Sequence, residues 1–223
     1  MFKNERLTKA VLAKIDSAER MTLVAMSDQR IEHEPSITDR FLAYIEAKLD
    51  GEDIAGVHWQ AKTLTSIGIN SQEVRHGADF FGVLSLDLPG YRVQKGFLAQ
   101  AKRVEPGQIF KASDQRNLRD QCQLMLHRSP VSYVFLYSEM SGMRVVSAND
   151  VLAATPHANP LDLTNWSVKE FFKAHLECFI GDYRVQAANR RELENLAADV
   201  RARNGIIIQG ISIGGDIPPN RFR

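Results

Sequence analysis

Hydrophobic spacing divides the chain into a series of short elements. Leu7, Val11, Leu12 and Ile15 recur at helical intervals and predict an amphipathic helix over residues 3–20. Ile37, Phe41, Leu42, Ile45 and Leu49 form the apolar stripe of a second helix, over residues 36–49. Ser36 followed three residues later by Asp39 has the layout of a capping box, with Asp in place of Glu, and sets that helix's start. The rhythm then changes. Residues 57–65, VHWQAKTLT, alternate as a strand does, and 66–76 read as a loop leading to Gly77.

The next stretch, GADFFGVLSLDLPGYRVQKGFLAQAKR over residues 77–103, holds two apolar runs around Pro89-Gly90. That pair suits the central positions of a type II turn. A hairpin symmetric about it sets Asp79 opposite Gln100, with Cβ atoms roughly 5 Å apart on one face. Lys102, two residues further along, projects from the same face. Covalent geometry alone thus gathers a carboxylate, an amide and an ammonium at one sheet edge.

An Asp, a hairpin, then an acid or Gln, any residue and Lys: this pattern resembles the signature of the PD-(D/E)XK nuclease superfamily. The form Gln100-Ala101-Lys102 looks like its Mrr-type branch, and the likeness spans residues 30–150 or so. Ala78 stands where the family usually has Pro, and Gln100 where an acid is commoner, so a neutral amide oxygen replaces one anionic donor. The resemblance implies an α/β, restriction-endonuclease-like fold: a mixed sheet flanked by helices. It also implies an endonuclease that hydrolyses DNA phosphodiester bonds with Mg²⁺ or Mn²⁺, and a role in defence against foreign DNA.

By the same resemblance the metal ligands are Asp79, Gln100, the main-chain carbonyl of Ala101 and an acid from the helix before the sheet. In the family this acid is a Glu near the helix start, with an aliphatic residue three positions later. Glu34, with Ile37, fits best; Asp39 and Glu46 compete, and Glu73 is within reach from the loop. Lys102 is expected to steer the attacking water or offset charge in the transition state. Arg75, His76, Lys95 and Arg103, with Arg92, flank the hairpin as candidate contacts to the DNA backbone, and Arg116, Arg119 and Arg128 extend them. His58 and His76 invite a general-base reading that the superfamily does not require.

After the hairpin, Glu105-Pro106-Gly107 ends the strand. Residues 115–127 predict a helix, 131–137 a buried strand and 143–146 a short one. Pro156 and Pro160 frame a linker, which suggests a nuclease core over 1–154 and a helical extension over 155–223 packed on it. That extension reads as helices over 168–180 and 190–203, a strand over 205–213 and a tail.

Composition adjusts this picture in two places. Over 223 residues the net charge is only +1, so nucleic-acid binding must come from local clusters, not from the whole-molecule field. Cys122 and Cys178 lack metal-ligand spacing and read as reduced, packed thiols. Apolar runs stay well below the length that crosses a bilayer, and the start MFKNERLTKA lacks a signal-peptide core. A cytoplasmic protein, as a homodimer or part of a larger defence complex, is the expectation, with DNA as its partner and no membrane. Walker loops, nucleotide-binding glycine motifs and zinc spacings are absent from the sequence.

Overall fold

A computed structural model describes residues 4–65, 77–155 and 157–214. Two helices open the chain: α1 (Glu5–Ser27) and α2 (Glu34–Leu49). A short β1 (Asp53–Ile54) and β2 (Val57–Thr65) follow, then the hairpin of β3 (Phe80–Leu88) and β4 (Tyr91–Arg103). Next come α3 (Ala112–Arg128), β5 (Ser132–Ser138), β6 (Gly142–Ser147) and α4 (Ala148–Ala153). The chain continues through β7 (Asn165–Ser167), α5 (Val168–Leu176), α6 (Arg190–Val200) and β8 (Asn204–Ser212). The result is α/β: one eight-stranded mixed sheet, in the order β1-β2-β8-β3-β4-β5-β6-β7, flanked by helices.

The hairpin has the expected register. Phe80 pairs with Ala99 and Leu88 with Tyr91, symmetric about Pro89-Gly90. Gly90 has φ +69°, the left-handed backbone that a type II turn asks of its third residue. Alternation along β4 then assigns the faces. Phe97, Ala99 and Ala101 join the core under α1, α2 and α5. Leu98 and Val104 join the second core, under α3, α4 and α6. Gln100 and Lys102 lie between Leu98 and Val104 in this alternation and so belong to the second face.

Three expectations need correction. The capping box at Ser36 does not form: α2 starts at Glu34, with His33 as its N-cap, no side-chain cap bond and Pro35 in the first turn. Proline has no N–H to leave unsatisfied there and its φ is preset for a helix, so the helix begins earlier than the Ser-Asp pattern implied. The boundary at Ala154 is not a structural one either. β8 lies inside the sheet, parallel to β3 and antiparallel to β2. Its run Gly205-Ile206-Ile207-Ile208 is buried throughout, as a central strand covered on both faces must be. The first helix extends to Ser27, well past residue 20. Among the described residues no helix is long and apolar enough to cross a membrane.

Candidate functional site

The site is built on the end of β4, which runs past the first residue of β3 while still paired with β5 on its other side. In a strand, alternate residues turn N–H and C=O toward the same neighbour. Ala99 pairs toward β3, its carbonyl accepting the Asp79 N–H at 2.9 Å. Beyond it β3 has not yet begun, so among the described residues the N–H groups of Ala101 and Arg103 have no strand partner on that side. Carboxylates take its place. The Ala101 N–H donates to Asp79 Oδ2 at 2.9 Å, and the Arg103 N–H to Glu34 Oε1 at 3.0 Å. The carbonyl of Ala101 points to the same side as its own N–H, between the two acids.

Glu34 comes from the opposite face of the sheet. It is the first residue of α2, and the helix start lies at the strand ends, so its side chain closes round the margin. There Glu34 Oε2 is 3.4 Å from Lys102 Nζ, with both side chains partly exposed. Gln100 is 2% exposed. Its amide Nε2 donates to Asp79 Oδ2, while its Oε1 is buried and accepts no hydrogen bond from the described residues. Burial pushes the Asp79 carboxyl above the usual range; the Ala101 N–H opposes this, Glu34 adds to it, and Lys102 and Arg203 pull it back down.

Glu34, Asp79, Gln100, Ala101 and Lys102 are thus brought together. The other acids considered for the helix position are not equivalent. Glu46 accepts from the N–H and hydroxyl of Thr63 and is tied to β2. Asp39 accepts from the side chain of Asn204, next to the site, and burial raises its pKa. Glu73, Arg75 and His76 lie outside the described residues. His58 is bonded to Asp53 at 2.7 Å, on the two strands farthest from β4 on that side of the sheet.

Lys95 is a correction. Its parity puts it on the other face of β4, where it is 2% exposed and donates to the Ile180 carbonyl, so it presents no cation to a ligand at the surface. Arg103 stands at the site's rim but is engaged by protein groups, with its guanidinium on the Glu32 carbonyl at 2.8 Å and on the Glu139 carboxylate. Arg92 pairs with Asp87 near the turn, Arg119 with the carbonyls of Val151 and Ala154, and Arg128 with Asp199.

Sequence reasoning missed Arg203, Asn204, Thr38 and Tyr137. The Asn204 N–H donates to the Asp79 carbonyl at 3.1 Å, which anchors the loop that carries the carboxylate. Asn204 Oδ1, like Gln100 Oε1, is buried without a partner among the described residues. The Tyr137 hydroxyl shares a 2.9 Å hydrogen bond with Thr38 beneath Glu34, Asp79 and Asp39, and burial raises its pKa. The strand signal of GIIIQGISI was visible; its insertion beside β3, which delivers Arg203 and Asn204, leaves no local mark.

Among the described residues no group of three or more His, Cys, Asp and Glu side chains is arranged to hold a metal. A hard cation that keeps most of its waters asks less: one or two carboxylates and neutral oxygens suffice. Asp79, Glu34 and the Ala101 carbonyl supply oxygens of that kind at one margin, with the Gln100 amide against Asp79, and these residue types fit Mg²⁺ or Mn²⁺. Comparison of the chain with family models, with curated proteins and with solved structures finds no match.

Proposed function

We propose that the protein is a metal-dependent nuclease that hydrolyses phosphodiester bonds in DNA, with a site of the PD-(D/E)XK kind. The observation that carries this reading is the end of β4 beyond β3, where the Asp79 and Glu34 carboxylates cap the N–H groups on either side of the Ala101 carbonyl, with the Lys102 ammonium 3.4 Å from Glu34. Bound Mg²⁺ or Mn²⁺ would lower the pKa of water and polarise the phosphoryl group. Asp79, Glu34, Gln100 and the Ala101 carbonyl would hold the ion. Gln100 keeps the Asp79 carboxylate oriented through its amide N–H. The strand and its two capped N–H groups fix both acids, so little reorganisation is needed when substrate arrives. Lys102, from the same face as Asp79, offsets negative charge developing on the phosphoryl oxygens.

A second reading has an observation of its own. Both carboxylates already satisfy strand-edge N–H groups, and one position holds an amide where an acid would serve a metal better. A non-catalytic protein that kept this arrangement to close a sheet edge, and binds nucleic acid or a protein partner, would look the same there. Purified protein incubated with plasmid, linear duplex, single-stranded DNA and RNA, each with Mg²⁺, Mn²⁺ or EDTA, separates the two. Metal-dependent products that vanish in Asp79→Ala support the nuclease. Intact substrates under every condition, with no metal binding by calorimetry, would establish the second reading.

A further inference from the structure

A groove of about 810 Å³ runs beside the outward face of α2 and the turn before it. Arg30, His33, Ser36, Asp39, Arg40 and Tyr44 line it, and Asp39 joins it to the site. Its carboxylate accepts from Asn204, whose main-chain N–H holds the Asp79 carbonyl. The groove therefore begins where the candidate active site ends.

Its charges cancel: Arg30 and Arg40 face Glu32 and Asp39, and Arg30 is already paired with Asp28 at 3.0 Å. A track for phosphates needs surplus positive charge, and this lining has none. It offers polarisable π groups instead. The Arg40 guanidinium lies over the Tyr44 ring, 5.8 Å from its centroid, and the Ser36 hydroxyl, His33 imidazole and Asp39 carboxylate belong to residues that line the same groove. A nucleobase matches that description: planar, with donors and acceptors along its edge.

We propose that this groove holds an unpaired nucleobase flanking the scissile phosphate, stacked on the Arg40–Tyr44 pair and met at its edge by His33 and Ser36. Cleavage at that phosphate rests on the nuclease reading; recognition of the base does not. A base inside a duplex is stacked on its neighbours and cannot lie against a side-chain plane, so the preferred substrate is single-stranded or locally unpaired.

Fluorescence anisotropy of the full chain with a labelled single-stranded oligonucleotide, in EDTA, tests this. Arg40→Ala and Tyr44→Ala should each weaken binding roughly five- to 150-fold, the range expected for one lost base stack. Tyr44→Phe should retain most of the affinity, and Arg40 is exposed, so its removal leaves the fold intact. An abasic position in the oligonucleotide should cost wild-type protein a similar factor and cost Tyr44→Ala little. Equal affinity of all these variants, or duplex bound as tightly as single strand, overturns the proposal. So does a mononucleotide that binds through Tyr44 without displacing the oligonucleotide, since the groove then serves a free nucleotide. If wild-type protein cleaves nothing with Mg²⁺ or Mn²⁺ yet reads the base through Tyr44, the nuclease reading fails and the groove stands. Cleavage with binding indifferent to Tyr44 and Arg40 gives the reverse.

Discussion

Lys95 and Lys102 lie on the same strand, and the fold treats them in opposite ways. Lys102 sits at the end of β4 with a side chain 22% exposed and a carboxylate 3.4 Å away. Lys95 is sealed beneath the segment after α5, and its partners there, the Ile180 carbonyl and the Cys178 sulfur, are not carboxylates. Burial lowers the Lys95 pKa. The seal is close enough to dictate a glycine: Gly181 has φ +136°, and a Cβ there would meet Lys95 Cδ at 2.4 Å. His175, buried beside it, is pushed down to about 3 by burial and by the Lys95 charge. A lysine in an apolar strand is thus ambiguous until its face and its distance from the strand end are known.

The largest expected effect is at Asp79. Asp79→Ala removes a proposed ligand together with the acceptor for the Ala101 N–H and the Gln100 amide. Cleavage should fall to background, and urea denaturation should show a loss of about 1–3 kcal/mol from the unsatisfied donors. Asp79→Asn keeps an acceptor; it should lose the cleavage and little of the stability. The lysines come next. Lys102→Ala should slow cleavage about 10²- to 10³-fold while leaving metal affinity largely intact. Lys95→Met should leave cleavage unchanged and hold or raise stability, since it removes a buried charge and keeps the apolar stem. Equal damage to cleavage by both substitutions would erase the contrast between the two ends of β4.

A smaller effect, set by the acids themselves, separates the metal-free and metal-loaded protein. The Asp79 carboxyl titrates above the usual range, through burial and the neighbouring Glu34. From the ordinary carboxylate pKa up to this raised one, native Asp79 keeps a proton that the unfolded chain has lost, so stability falls as pH rises through that window. A bound cation must displace that proton. The rise in Tm caused by Mg²⁺ or Mn²⁺ should therefore shrink as pH falls through the same window, and at 100 times Kd it corresponds to about 2.7 kcal/mol. Gln100→Glu places a further carboxylate beside Asp79. Without metal it should lower Tm at neutral pH; with metal the stabilisation should exceed that of wild type. A Gln100→Glu protein whose Tm ignores metal would count against ligation at this position.

Much of this arrangement was legible in the chain, for physical reasons that differ by residue. The alternation of β3 and β4 and the Pro89-Gly90 turn determine which side chains share a face, so Asp79, Gln100 and Lys102 could be grouped before any fold was known. Glu34 was reachable only through a family pattern, because helix placement against a sheet margin depends on packing that no local signal encodes. Asn204 and Arg203 were out of reach for a stronger reason. β8 pairs with β2 and β3 across most of the chain, and an apolar run declares that a strand is buried without declaring its neighbours. Lys95 was misread because period-two patterning places a residue on a face but not beneath a cover. The cover is the Gly96–Asp182 bridge, formed by a segment far along the chain.

The smallest expected effect belongs to Arg92, read in the sequence as a phosphate contact like Lys95. It sits directly opposite Asp87, one pair from the turn, at the end of the hairpin away from Asp79. Its guanidinium is bonded to that carboxylate at 2.6 Å with a side chain 82% exposed, and an exposed ion pair contributes little that salt does not screen. Arg92→Ala should leave Tm, cleavage rate and the salt dependence of DNA binding as they are in wild type. Arg103→Ala, at the site's rim, should lower affinity modestly, because the freed Glu139 carboxylate would then face the substrate. If Arg92→Ala instead flattened the salt dependence by the slope of one phosphate contact, the substrate would run the whole length of the hairpin. The turn end, with Lys95 closed away beneath its cover, would then belong to the binding surface as fully as the end that carries Lys102.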